Sequence, residues 1–103
     1  MTMKRALRIA AGRVRFFSFG RGQYQVDHWS ERHAAWWEGN MVSDRRSALC
    51  DAWGGKVAEA LRLLEVEEPD IKAYSALEHA KDAPRMPDWR SVVRTIYRRE
   101  RNA

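Results

Sequence analysis

Apolar and polar residues alternate well enough for a strand from Arg13 to Phe19, with Phe16 and Phe17 adjacent, break at Gly20-Arg21-Gly22, and alternate again through "QYQVDHW" at 23–29. A period of two marks a half-buried strand, and the glycines supply the positive φ that a tight hairpin needs. The polar "SERH" at 30–33 ends the second strand, and a third is expected from Ala34 to Met41. If 20–22 is a three-residue loop with Gly22 left-handed, Ser18 faces Tyr24, Phe16 faces Val26 and Val14 faces His28. A four-residue loop at 30–33 then sets Val26 opposite Trp37 and His28 opposite Ala35. One face collects Val14, Phe16, Tyr24, Val26, Ala35 and Trp37 as core. The other receives Arg15 across from Asp27, Phe17 across from Gln25 and Phe19 across from Gln23, with Trp29 and Trp36 nearby. A four-residue first loop would instead pair Phe19 with Tyr24 and turn Phe17 and Phe19 inward.

Beyond residue 42 the period lengthens. Leu49, Trp53, Val57, Ala60, Leu61 and Leu64 recur at spacings of three and four, which predicts an amphipathic helix from an N-cap at Ser43, followed by Asp44, to about Glu65. Gly54 and Gly55 fall in its middle, each costing about 1 kcal/mol against alanine, so they imply a break or a close approach of another backbone. A continuous, kinked helix is the preferred reading. Pro69 suits the first turn of a second helix with Ile71, Tyr74, Leu77 and Ala80 inward, closed off by Pro84 and Pro87. Asp88 caps a third, with Trp89, Val92, Val93, Ile96 and Tyr97 on its apolar side. Strands first and helices after predict an α+β fold: a three-stranded antiparallel meander followed by three helices packed on one face, βββααα, in one domain spanning 1–103.

Composition narrows the class. The 103 residues are 45% hydrophobic and 32% charged, enough for one modest core. No apolar run nears the roughly 18 residues that span a bilayer. The start, "MTMKRALRIAAGRVRFF", has a basic then mildly apolar order like an export signal, but Arg8 interrupts it before about 7 apolar residues accumulate. A cytoplasmic protein is expected, and the lone Cys50 permits no internal disulfide.

The net charge of +5 is unevenly spread. Residues 1–25 carry Lys4, Arg5, Arg8, Arg13, Arg15 and Arg21 with no acid, residues 26–89 hold thirteen acids against eight bases, and the last fourteen set five arginines against Glu100. Two basic ends around an acidic middle point to an acidic partner and count against a mimic of DNA.

Enzyme chemistry has few materials here. Cys50 has no motif around it, and its sequence context suits a small buried hydrophobe. His28, His33 and Cys50 lack zinc-ligand spacing and a fourth ligand. Glu65, Glu67, Glu68 and Asp70 read as a solvated helix junction. "RVRFFSFGRGQY" lacks the order of an RNA-recognition sheet motif, and "GRG" is too short to cradle phosphates. No catalytic residue, metal or cofactor is assigned.

Two constellations remain. Arg90, Arg94, Arg98 and Arg101 form one stripe on the last helix, which is either a solvated face favoured by the helix dipole or a row of phosphate contacts. The outer sheet face is either covered by the N-terminal segment or a helix, a protein-docking patch, or a platform for unpaired bases. The leading expectation is a small non-enzymatic protein of the accessory or inhibitor type, such as bacterial mobile elements or phages carry. It would dock Phe17, Phe19, Arg21, Trp29 and Trp36 onto a larger protein or nucleoprotein. The alternative is a nucleic-acid-binding domain contacting phosphates through its basic N-terminal segment, with Arg13 and Arg15, and through Arg90, Arg94, Arg98 and Arg101. No membrane partner is expected, and exposed aromatics are compatible with a homodimer.

Overall fold

A computed structural model describes residues 1–103. It opens with a helix, α1 (Met3–Gly12), which the expected βββααα order lacks. Thr2 caps it, its hydroxyl accepting from the Arg5 amide at 3.2 Å. Ala6, Leu7 and Ala10 are buried at helical spacing, while Lys4, Arg5 and Arg8 face outward.

The chain then enters β1 (Val14–Ser18), β2 (Tyr24–Ser30) and β3 (Ala35–Trp37), an antiparallel meander in the order β1-β2-β3. The first hairpin has the three-residue loop and the expected register: Val14 faces His28, Phe16 faces Val26 and Ser18 faces Tyr24. Gly20, Arg21 and Gly22 all have positive φ, and the Phe19 amide donates to the Gln23 carbonyl at 3.0 Å.

The second hairpin departs from expectation by two residues. Its turn is Glu31–Ala34, closed by Ala34 at φ +46°, so Ser30 faces Ala35 and His28 faces Trp37. The Ser30 hydroxyl accepts from the His33 amide at 3.3 Å, which places Ser30 at the head of the turn. β3 also stops at Trp37 instead of reaching Met41; the chain leaves the ladder and rejoins it at a single Tyr24–Val42 bridge. Because the slip is even, Ala35 and Trp37 keep the expected face, but they lie beyond the core: Ala35 is exposed and Trp37 is 60% exposed.

α2 (Arg45–Leu63) is the central element. Its N-cap is Asp44, not Ser43, because the Asp44 carboxylate accepts from both the Arg46 amide at 3.0 Å and the Ser47 hydroxyl at 2.7 Å. The helix runs unbroken through Gly54 and Gly55. A Cβ on Gly55 would lie 2.5 Å from His28 Cε1, so a side chain of β2 occupies that space.

α3 (Pro69–Ala80) and α4 (Trp89–Arg101) pack on α2, not on the sheet. The expected inward side of α3 holds at Leu77 and Ala80 but fails at Ile71 and Tyr74, which are each 64% exposed; Ala73 and Ala76 face the core in their place. In α4, Trp89 and Val93 are buried and Val92, Ile96 and Tyr97 flank them, as expected.

The interior has two parts, divided by α2. Trp53, Val57, Ala60 and Leu61 of α2 anchor a thirteen-residue cluster shared with α1, α3 and α4. Ala48 and Ala52 meet Val14 and Val26 in a four-residue cluster under the sheet, edged by Phe16 and Tyr24. The molecule is flat, 46 × 36 × 21 Å. No helix is long and apolar enough to cross a membrane.

Candidate functional site

Four of the five residues expected to bind a partner, Phe17, Phe19, Trp29 and Trp36, lie on the side of the sheet turned away from α2, and the fifth, Arg21, is in the hairpin loop beside it. None of these rings belongs to either core cluster. Phe17 and Phe19, 36% and 53% exposed, stack with centroids 5.9 Å apart. Trp29 and Trp36 meet edge to face at 5.5 Å, both half-buried, and the Arg15 guanidinium lies 3.7 Å over the Trp36 ring. Arg21 stands at the exposed hairpin tip at φ +55°.

Between the two aromatic pairs sits Asp27, only 7% exposed, accepting from Gln25 Nε2 at 2.8 Å and from the Gly39 amide at 3.1 Å. That second bond fixes the chain where it leaves β3. The face is therefore an ordered surface, with the Arg15–Trp36–Trp29 stack preassembled and Phe17 and Phe19 open to water.

The second surface joins the two chain ends. Arg94, Tyr97, Arg98, Arg101 and Asn102 of α4 and its C-cap line one depression of about 370 Å³ together with Met3 of α1. Lys4 and Arg5 adjoin Met3, and Arg8 follows one turn later on the outward side of α1. None of Lys4, Arg5, Arg8, Arg94, Arg98 or Arg101 has a carboxylate partner; the ion pairs all lie elsewhere. The nearby Glu100 is held 2.9 Å from Lys72 of α3. The only other group on an arginine of this ridge is the Tyr97 ring, 5.7 Å from the Arg101 guanidinium.

Three arginines read from sequence as phosphate contacts are engaged within the fold instead. Arg13 donates to Glu59 at 2.6 Å and to Glu31 at 3.0 Å, and its side chain is 20% exposed. Arg15 lies on Trp36. Arg90 covers the Trp89 ring at 4.7 Å and stands 3.8 Å from Asp88. Of the basic N-terminal segment it is Lys4, Arg5 and Arg8, not Arg13 and Arg15, that stand unpaired beside the depression. Their signal was the acid-free start combined with Met3, Ala6, Leu7 and Ala10 at helical spacing.

One titratable contact bridges sheet and helix. His28 Nε2 lies 3.2 Å from Asp51 Oδ1 of α2, and this hydrogen bond raises the imidazole pKa above the ordinary histidine value, with partial burial working against it. Cys50 is half-buried, its sulfur 4.0 Å from that of Met86. No three histidine, cysteine or acidic side chains come together as a metal site would need. Comparison of the chain with protein-family models, with curated proteins and with solved structures finds no significant match.

Proposed function

We propose that this is a binding protein whose working surface is the basic ridge of α1 and α4 and whose ligand is a nucleic-acid phosphate backbone. The observation that carries this reading is the meeting of Met3 with Arg94, Arg98 and Arg101 at one depression, which brings the acid-free start beside the arginine stripe with no carboxylate between them. Guanidinium groups left without carboxylates can bond phosphate oxygens in pairs and release condensed counterions.

The test is fluorescence anisotropy with labelled random-sequence duplex and single strands over a salt series. Six contacts give a log–log slope of about −5 on duplex, a loss of roughly 10³-fold between 50 and 200 mM salt. Arg94→Gln with Arg98→Gln should lower the slope by about 2 and weaken binding on the order of 50-fold at 0.1 M salt. No binding at about 50 mM salt, where counterion release is strongest, would refute it.

The outer sheet face favours a second reading, in which the chain docks on a larger protein through Phe17, Phe19, Arg21, Trp29 and Trp36. What supports it is the exposure of both phenylalanines beside an ordered arginine–tryptophan stack, since aromatic residues and arginine are enriched at interface centres. Affinity capture with and without nuclease separates the two: a protein partner survives nuclease and is lost with Trp36→Ala and Arg21→Ala.

A further inference from the structure

β1 is an edge strand, and its outward backbone groups have no partner. The hydrogen bonds around the sheet fix which groups these are. The Phe19 amide donates to Gln23 and the Trp29 amide to the Arg13 carbonyl, while Tyr24 exchanges both its bonds with Val42, on the far side of β2. In an antiparallel ladder the bonded pairs alternate. Residues 13, 15, 17 and 19 therefore bond to β2, and the amides and carbonyls of Val14, Phe16 and Ser18 point away from it.

The opposite edge is blunted. β3 has three residues and breaks off between Trp37 and Val42. β1 has no such protection: it contains neither proline nor a bulge, and Arg15, its one charged residue, lies on Trp36 of its own sheet. An edge of this kind is a template for another strand.

The sequence around Phe16 is self-complementary. Placed antiparallel to itself about Phe16, the segment sets Val14 against Ser18 and Arg15 against Phe17, so no two like charges face each other. The pairing also brings Phe16 beside its own copy on the inner face, where the sub-sheet cluster has just four buried residues and Phe16 at its margin. Each exposed Phe17 would lie along the aliphatic stem of the partner's Arg15.

We infer that two copies of the chain join edge to edge through β1, antiparallel about a two-fold axis at Phe16, to form one continuous six-stranded sheet. The interface is isologous, as closed dimers require. It makes no use of the α1–α4 ridge. The two proposals also respond oppositely to salt: the +5 charge on each chain means that added salt strengthens pairing of the copies and weakens phosphate binding.

Sedimentation velocity in nucleic-acid-free buffer should give twice the chain mass of 12.0 kDa. Ser18→Pro is the matched variant, because the Ser18 amide points outward and its loss spares the β1–β2 bonds. It should sediment at the single-chain mass with an unchanged far-ultraviolet spectrum. In the unmodified protein the Phe16 and Ser18 amides should exchange at least about tenfold more slowly at high concentration than at low. A single-chain mass at every concentration overturns the proposal. So does a dimer whose Phe16 amide exchanges freely, since its interface lies elsewhere, and that measurement stands even if Ser18→Pro fails to fold.

Discussion

Replacing Gly54 and Gly55 one at a time by alanine separates helix propensity from packing within α2. Each replacement gains about 1 kcal/mol of propensity. At Gly54 the new Cβ lies 3.5 Å from Leu77 Cδ2, an ordinary contact, so the gain stands. With about 4–8 °C per kcal/mol for a domain of this size, Gly54→Ala should melt about 5 °C higher.

At Gly55 the new Cβ lies 2.5 Å from His28 Cε1, 2.8 Å from Nδ1 and 3.4 Å from Val14 Cγ2. The ring must move by close to an ångström, and the Asp51 bond at 3.2 Å holds it where it is. Overpacking costs about 1–3 kcal/mol, and the exposed His28–Asp51 contact adds less than about 1 kcal/mol. The net is a loss of roughly 1 kcal/mol after the propensity gain. Gly55→Ala should therefore melt about 5 °C lower, placing the two neighbouring substitutions about 10 °C apart. Thermal unfolding followed at 222 nm measures both. In a His28→Ala background the clash is gone, and Gly55→Ala should turn stabilising. If it stays destabilising there, or stabilises the unmodified protein as Gly54→Ala does, His28 does not fill the space over Gly55 and the account of the glycine pair is wrong.

The Asp51 bond raises the His28 pKa in the folded state, so its contribution is complete below about pH 6.5, the unfolded value, and fades as pH rises through the folded pKa. Denaturant unfolding of the unmodified protein against His28→Gln should show a stability difference that shrinks with rising pH; a difference growing with pH would contradict it. Glu59 is buried between Arg13 and Arg62, so Glu59→Ala should cost about 2 kcal/mol by urea denaturation, because the half-hidden Arg13 loses its strongest partner. Trp53 Nε1 donates to the Pro87 carbonyl at 2.9 Å, and Trp53→Phe should cost about 2 kcal/mol, from that lost bond together with the space the smaller ring leaves in the core, measured the same way.

The first hairpin was legible because two local signals agree: alternation from Arg13 to Phe16 that resumes across Tyr24 to Val26, and a glycine at position 22 that takes φ +69°. The second was legible only to within two residues, since "SERHAA" has no glycine to pin the turn and Ala34 adopts the left-handed conformation instead. Face assignment survived because a two-residue slip preserves it. On α3, Leu77 and Ala80 were read correctly as inward, but Ile71 and Tyr74 were misread by favouring large residues. Leu77 lies over Gly54, so α3 approaches α2 closely, and it is Ala73, Ala76 and Ala80 that fit there while Ile71 and Tyr74 are excluded. α1 escaped notice for a related reason: its buried side is mostly alanine, and Lys4, Arg5 and Arg8 interrupt the apolar residues and mask the helical spacing. The burial of Asp27 depends on Gly39, twelve residues away, and no local pattern shows it.

The position of Lys4 and Arg5 has an energetic consequence that links the fold to the proposed ligand. Both lie in the first turn of α1, which has no acidic residue, and a cation at a helix N-terminus works against the dipole by about 0.3–1 kcal/mol. Arg94, Arg98 and Arg101 across the same depression add repulsion. Nothing in the free protein offsets this, since neither residue has a carboxylate partner. A bound polyanion would. Lys4→Glu with Arg5→Glu should therefore stabilise the free protein, by roughly 1 kcal/mol or about 5 °C, while removing nucleic-acid binding at about 50 mM salt. A bystander pair of surface charges behaves otherwise: its reversal leaves binding intact. If the double reversal lowers the melting temperature, the two residues serve the fold itself, and the cost attributed to the ridge does not exist.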